Sequence, residues 1–502
     1  MAEGKSEKSS KKGPELLVVS NRLPVSIKRK DDGSYETSVS SGGLVSSLSG
    51  LSGNFSFQWF GWTGIEIPDE EKQTVEKLLA KDGAIPVFFD KQLADDHYNG
   101  FASLCFFPPI YVLVELKPSD NGSTLDSILW PVLHYQPGVV QFNEEWWKAY
   151  RKVNQLFATQ VAEAASDGDL IWVHDYHLML LPKLLRTELK NRGKSAKIGF
   201  SLHTPFPVAE IYRTLPTSHE VLEGLLYADL LGFHTEDYVQ HFKEACSSIL
   251  DVSADGDKLH YNGRDARVGK FVVGIDPQRF KEVLDSDKVR NRIAELDKKY
   301  EGIVRVVGVD RLDYIKGLPQ KLRGFECLLR EHPEMVGKIV LIQIAVPSRE
   351  DVPEYQELET EIQTIVGAIN GQYGKPDYVP IVYVHQSVPF DELTALYAAS
   401  DICLLTSTRD GMNLVAAEYT VCQDQRNGVL LLSEFAGTSV YFFEGSIQFN
   451  PLNAHEIADA LYTAAKMNTE ERVRQHKNLM EFINSHTSTH WGKSFVEALS
   501  AV

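Results

Sequence analysis

Two carboxylates, Asp410 and Glu418, bracket a stretch that can hold an anion. The apolar run Ile402 to Leu405 passes through Thr406-Ser407-Thr408-Arg409 into Asp410-Gly411-Met412-Asn413-Leu414-Val415. A strand-length apolar run, a polar turn with glycine and an amphipathic run read as strand, turn and helix. The first N–H groups of a helix lack partners and sit at the positive end of its dipole, so a diphosphate fits near Asn413 to Val415. Carboxylates nearby accept hydrogen bonds from hydroxyls. An anion cradle beside hydroxyl acceptors suits a sugar nucleotide.

A second turn supplies cations. Arg311 and Lys316 follow the β-branched run Ile303 to Asp310 and precede Leu318, Leu322, Phe325, Leu328 and Leu329, which recur at helical spacing. Open α/β sheets bind ligands at the carboxyl ends of their strands. There an arginine fork and a lysine point charge can neutralise a departing diphosphate, although such a pair reads equally well as solvated surface.

These turns need strands behind them, and the chain offers two series. The first is Leu16 to Ser20, Phe57 to Trp62, Ile85 to Phe89, Leu170 to His174, Ile198 to His203, Leu230 to His234 and Phe271 to Gly274, with helices such as Glu145 to Ala165 and Thr235 to Leu250 between them. The second is Val304 to Asp310, Ile339 to Val346, Ile381 to His385, Ile402 to Leu405 and Val429 to Leu432. Alternating strands and helices predict an α/β fold of two Rossmann-like domains facing across a cleft. Residues 1–13 read as a disordered polar tail, 14–276 as the first domain, 277–485 as the second and 486–502 as a terminal helix returning to the first.

Bulk properties narrow the partners. A chain of 502 residues exceeds one ordinary core. With 51 basic against 69 acidic residues the formal charge is −18, which disfavours nucleic acid and anionic membrane and requires a local basic cluster for any phosphate. Arg22, Arg311, Lys316 and Arg349, each beside a strand end, are the candidates. Five scattered cysteines suit a reducing cytoplasm, and no apolar stretch reaches the roughly 18 residues of a membrane helix.

Seven motifs in order carry a resemblance: Leu16 to Pro24, Ser41-Gly42-Gly43-Leu44, Trp59-Phe60-Gly61-Trp62, His174-Asp175-Tyr176-His177, His203-Thr204-Pro205-Phe206-Pro207, Arg311 to Gly317 and Arg409 to Glu418. From about Glu15 to the C-terminus the chain resembles the trehalose-6-phosphate synthases. The resemblance implies GT-B architecture and a retaining, metal-independent glycosyltransferase, without cofactor, that joins glucose from UDP-glucose to glucose 6-phosphate. It implies acceptor contacts from Arg22, Tyr98, Trp130, Asp175 and Arg349, with Trp59 a further candidate for that wall. For the donor it implies Gly43 at the diphosphate, Asp410, Gly411, Met412 and Asn413 at the glucose, Leu414 and Val415 at the diphosphate, Glu418 at the ribose and Val388 at the uracil. Arg311, Lys316, His203 and Asp410 carry the catalytic expectation. Homo-oligomers, or association with a trehalose-6-phosphate phosphatase or regulatory subunits, belong to the same expectation, and the chain ends too soon for an appended phosphatase domain.

Several rival readings stay open. Two histidines and an aspartate in His174-Asp175-Tyr176-His177 invite a metal, but neighbours at a strand end point to opposite faces. Asp167-Gly168-Asp169 and Asp255-Gly256-Asp257 read as solvated turns. A histidine at position 203 is by default structural. Residues 103–126 form an insert of roughly two dozen residues, more than a compact connection needs, which reads as a translated intron or an unusual isoform and, if real, separates Tyr98 from Trp130. A different sugar-nucleotide transferase, or a catalytically silent subunit of a trehalose-synthesising complex, shares most of these features. A nicotinamide dehydrogenase does not, because no G-x-G-x-x-G follows a strand.

Overall fold

Aliphatic runs buried on both faces build two mostly parallel sheets, one for each half of the chain. The computed structural model describes residues 14–39, 43–49, 57–102, 128–139, 142–348 and 353–502. In the first lobe, β1 (Leu16–Arg22) lies between β4 (Phe57–Trp62) and β6 (Leu170–His174). Beyond β4 comes β5 (Ala84–Val87), and beyond β6 come β7 (Lys197–Ser201), β8 (Leu230–Phe233), β11 (Arg264–Lys270), β10 (Lys258–Tyr261) and β9 (Ser253–Asp255). A separate hairpin joins β2 (Val25–Arg29) to β3 (Tyr35–Val39). The second lobe orders β14 (Ile381–Val384), β13 (Ile339–Val346), β12 (Val304–Arg311), β15 (Ile402–Leu405), β16 (Val429–Ser433) and β17 (Ser446–Phe449), all parallel.

Each sheet reverses its order of growth once. The chain moves outward one way from β1 through β4 to β5, then the other way from β6 through β7 to β8; it does the same from β12 and from β15. Loops leaving the two strands at such a point diverge to opposite faces, and the gap between them is where open α/β sheets take ligands. Arg22 and Asp175 stand at the first gap, Arg311 and the Thr406-to-Asn413 turn at the second.

The last helix, Ser488–Ala501, packs on the first sheet. Phe495 stacks on Trp172 at 4.3 Å between ring centroids, with Trp491 4.9 Å from the same indole. Gly199 makes room for it, since a Cβ there would meet the Phe495 ring at 2.6 Å.

Three local expectations need correcting. Phe271 to Gly274 is not a strand: β11 stops at Lys270, and Gly274 leaves the sheet to pass so close to His486 that a Cβ would come within 1.7 Å of its carbonyl oxygen. The strand expected to end at His203 ends at Ser201, so His203 belongs to the loop at the sheet's carboxyl edge. Asp169 is buried, not solvated, and its carboxylate accepts the N–H groups of Glu15 and Ser166. The 103–126 insert and Arg349 lie outside the described residues.

Truncating Trp491 to alanine removes a fully buried indole from this packing. It should lower unfolding stability by about 3–5 kcal/mol in a urea titration, whereas Val473→Ala, 46% exposed, should change it by less than about 0.5 kcal/mol.

Candidate active site

On the first lobe an aromatic wall rises beside a cation. The Arg22 guanidinium lies 5.3 Å from the Trp62 ring and 5.6 Å from Tyr98. Tyr98 stacks in parallel on His177 at 5.3 Å, His177 lies 4.0 Å from Tyr176, and Tyr176 lies 5.4 Å from Trp130. Tyr98 and Trp130 thus share one wall despite the segment between them. The flanks of that segment meet, since Ile128 donates its N–H to the Phe101 carbonyl at 3.3 Å. The expectation that the insert separates the pair is therefore corrected. Trp59 is not on this wall. Successive strand residues alternate faces, so Trp62 points toward Arg22 while Trp59 is buried with the C-terminal helix and donates to Ser20 Oγ at 2.7 Å.

Asp175 follows β6 with φ 73° and ψ 168°, a region that only glycine occupies freely. Its carboxylate accepts the His203 N–H at 3.3 Å. Burial pushes its pKa up to about 6, against the lowering effect of the Tyr176 and His203 amides and of Arg311 from the other lobe. Arg311 is half exposed and close enough to Asp175 for its charge to lower that pKa, with Asp313 beside it at 3.7 Å.

The second lobe bolts two turns together. Thr406 Oγ1 lies 3.2 Å from the Lys316 carbonyl and 3.0 Å from that of Gly317, and Thr408 donates its N–H to Ile315 at 2.7 Å. Lys316 Nζ donates to Asp410 Oδ2 at 2.6 Å. The same oxygen accepts from Ser407 at 3.3 Å and Asn413 at 3.1 Å. Burial raises the Asp410 pKa, but Lys316, His134 and Asn413 together hold it below the ordinary carboxylate value. Asn413 caps the helix Leu414–Val421 by accepting the Ala416 N–H at 3.3 Å. Glu418, on the same helix, accepts from Tyr397 at 3.2 Å, and burial raises its pKa against the pull of that tyrosine and of Arg279. Val388 packs in the hydrophobic cluster that also takes Val384, Leu414 and Val415.

The lobes touch at the turn that carries Asp410 and Gly411. A Cβ on Gly411 would come within 2.1 Å of the His203 carbonyl oxygen. Tyr238 donates to the Asp410 carbonyl at 3.3 Å, Tyr441 to that of His234 at 2.5 Å, and Arg409 lies over Tyr135 at 4.2 Å. Met412 and Leu414 pack against the first-lobe cluster containing Trp172 and Trp491. Gly43 opens the short helix Gly43–Ser49.

A model of glycosyltransferase family 20 matches residues 14–501. The chain belongs to glycosyltransferase family 20. Among the relatives of this family-20 chain, alpha,alpha-trehalose-phosphate synthase (UDP-forming) of Emericella nidulans is 51% identical over 497 residues, covering 99% of this chain and 94% of that one. A structure described as trehalose-6-phosphate from E. coli bound with UDP-2-fluoro glucose superposes with a TM-score of 0.81 at 32% identity, covering 97% and 99% of the two chains. An alpha,alpha-trehalose-phosphate synthase (UDP-forming) from Burkholderia xenovorans in complex with glucose-6-phosphate gives 0.81 at 28% identity, covering 97% and 100%. The fold is GT-B, with two Rossmann-like domains.

Of the residues singled out from the family-20 sequence, the crevice gathers Arg22, Tyr98, Trp130, Asp175, His203, Arg311, Lys316, Asp410, Gly411 and Asn413. Sequence reasoning gave no place on this wall to Trp62, Tyr176 or His177, though its motifs contained them, and did not name His134. Strand alternation from Phe60 marks Trp62, helical spacing from Trp130 marks His134, and His177 was weighed only as a metal ligand. Among the described residues, the group of potential metal ligands within 4.8 Å of one another is Cys327, Glu331 and His455, away from this crevice, where Arg330 already donates to Cys327 at 3.1 Å.

Two outcomes follow. Because the folded pKa of Asp175 exceeds that of an unfolded aspartate, its contribution is most favourable below about pH 4 and is lost as pH rises to about 6. Asp175→Asn should therefore raise unfolding stability by on the order of 1–3 kcal/mol near pH 7.5 and by much less near pH 4; an equal gain at both refutes this. Gly411→Ala should hold the lobes apart, increasing the radius of gyration in solution scattering and lowering turnover at least about tenfold.

Proposed function

We propose that this chain transfers glucose from UDP-glucose to glucose 6-phosphate with retention, releasing alpha,alpha-trehalose 6-phosphate and UDP, the first step of trehalose biosynthesis. The observation that carries this reading is the meeting of the two switch points, which sets Arg22 and its aromatic wall opposite the Arg311, Lys316 and Asp410 turns. Membership of family 20 and half-identical relatives of known reaction support it.

Arg22 and Arg349 would take the acceptor phosphate, Tyr98 and Trp130 the sugar faces and Asp175 its hydroxyls. Asp410 and the Gly411–Asn413 backbone would hold the donor glucose. Gly43 and the amides of Leu414 and Val415 would hold the diphosphate, Glu418 the ribose and Val388 the uracil. As the glucose–phosphate bond breaks, positive charge grows on the sugar ring and negative charge on UDP. Arg311 and Lys316 neutralise the latter. The acceptor hydroxyl attacks from the face that UDP leaves and passes its proton to the departing phosphate, with no covalent intermediate. Asp410 is a poor nucleophile for the alternative route, since one of its oxygens already accepts from Lys316, Ser407 and Asn413. A cytoplasmic location fits the four described cysteines, which are buried and unpaired as disulfides. Among the described residues, no helix is long and apolar enough to cross a membrane.

UDP release from UDP-glucose should require glucose 6-phosphate. Lys316→Ala or Arg311→Ala should lower kcat by about 100- to 1,000-fold while the KM for glucose 6-phosphate changes less than about threefold. Comparable losses in both constants, or UDP release without an acceptor, would overturn the assignment.

A further inference from the structure

Three histidines line up along the carboxyl edge of the first sheet. His174 ends β6, His203 lies just beyond β7 and His234 directly follows β8, three strands adjacent in the sheet. Their ring centroids are 5.4 and 5.1 Å apart, close to the roughly 4.8 Å between neighbouring strands, so the sheet itself sets the spacing. His174 Nδ1 lies 3.1 Å from His203 Nε2, His203 Nδ1 lies 3.1 Å from His234 Nε2, and His234 Nδ1 lies 3.1 Å from the Phe271 carbonyl oxygen on the next strand's exit.

The carbonyl decides every proton in this row. It can only accept, so His234 must carry its proton on Nδ1 and present a bare Nε2. His203 must then donate from Nδ1 and leave Nε2 bare, and His174 must in turn donate from Nδ1. Each ring holds a single proton, because burial lowers all three pKa values, to about 3 for His174, about 4 for His234 and well below the ordinary value for His203. His174 Nε2, where the row ends, is buried and has no hydrogen-bond partner among the described residues, as the bare nitrogen of a terminal acceptor would be.

We propose that His234, anchored by the Phe271 carbonyl, is a positioning residue that locks His203 as the Nδ1–H tautomer, so that His203 meets a ligand hydroxyl only as an acceptor and never as a proton donor. A donor-sugar hydroxyl reaching Nε2 competes with His174 Nδ1–H for one lone pair. His203 therefore cannot protonate the leaving phosphate, which leaves that proton to the acceptor hydroxyl. The other lobe touches the backbone of the same residues: Tyr441 donates to the His234 carbonyl at 2.5 Å, and Gly411 abuts that of His203. The tautomer assignment is independent of substrate identity. Its effect on turnover rests on the function proposed above.

The test uses the full chain labelled with 15N in its histidine rings. At pH 7.5, two-bond 1H–15N spectra should show protonated Nδ1 and bare Nε2 for His174, His203 and His234, each assigned by its own substitution; protonated Nε2 on His203 overturns the proposal. His234→Phe removes the acceptor facing His203 and should restore an Nε2–H on that ring, raising the KM for UDP-glucose by roughly 10- to 100-fold with the KM for glucose 6-phosphate unchanged. His234→Gln keeps an acceptor oxygen there and should recover most of the loss. If the tautomers are as stated but His234→Phe turns over UDP-glucose normally, the positioning role falls. If the unsubstituted chain shows the tautomers but releases no UDP, it is the proposed reaction that fails.

Discussion

Everything at this crevice depends on a backbone contact between lobes, the approach of Gly411 to the His203 carbonyl. The turn carrying Asp410 can rest there only because residue 411 has no side chain. That contact brings the carboxyl edge of β7 against the exit of β15, and with them the two switch points. The hydrogen bonds from Tyr238 and Tyr441 and the stacking of Arg409 on Tyr135 reinforce it from either side. A fold made of two separate sheets thereby acquires one site.

The crevice gathers the cations Arg22, Arg311 and Lys316 in a chain that is acidic as a whole. Lys316 is largely buried and would be costly there alone, but Asp410 pairs with it and Ser407 and Asn413 satisfy the same oxygen. On the proposed reading, an incoming diphosphate would compete with Asp410 for Lys316 and would not meet an unpaired buried cation. Asp175 shows the converse arrangement. It keeps a strained backbone and a disfavoured charge beside the aromatic wall, the kind of stability cost that persists where a site requires it.

Most of the element order was legible from periodicity. Apolar β-branched runs such as Ile339 to Val346 and Ile402 to Leu405 coincide with strands because buried parallel strands tolerate few other residues. The Asn413 cap was equally readable, since the cradle at a helix start is a local property. Where the reading slipped, the cause was distant in sequence. Phe271 to Gly274 has strand composition, yet the chain must clear His486 there. The short hairpins β2–β3 and β9–β10 offer too little pattern to read: β9 is three exposed residues, and the alternation of buried Val25 and Ile27 in β2 spans only five.

By itself, then, the sequence determined the α/β character, the two strand–turn–helix motifs with their cations and carboxylates, and the family to which such motifs in such order belong. These are short-range features, set by side chains a few residues apart. Only the tertiary structure decided that Trp62 rather than Trp59 faces Arg22, that Tyr98 and Trp130 share a wall across a long insert, that Lys316 is held by Asp410, and that three histidines at the ends of separate strands form one row. Each of these joins residues distant along the chain, and nothing local in a residue's identity specifies which partner the sheet order will place beside it.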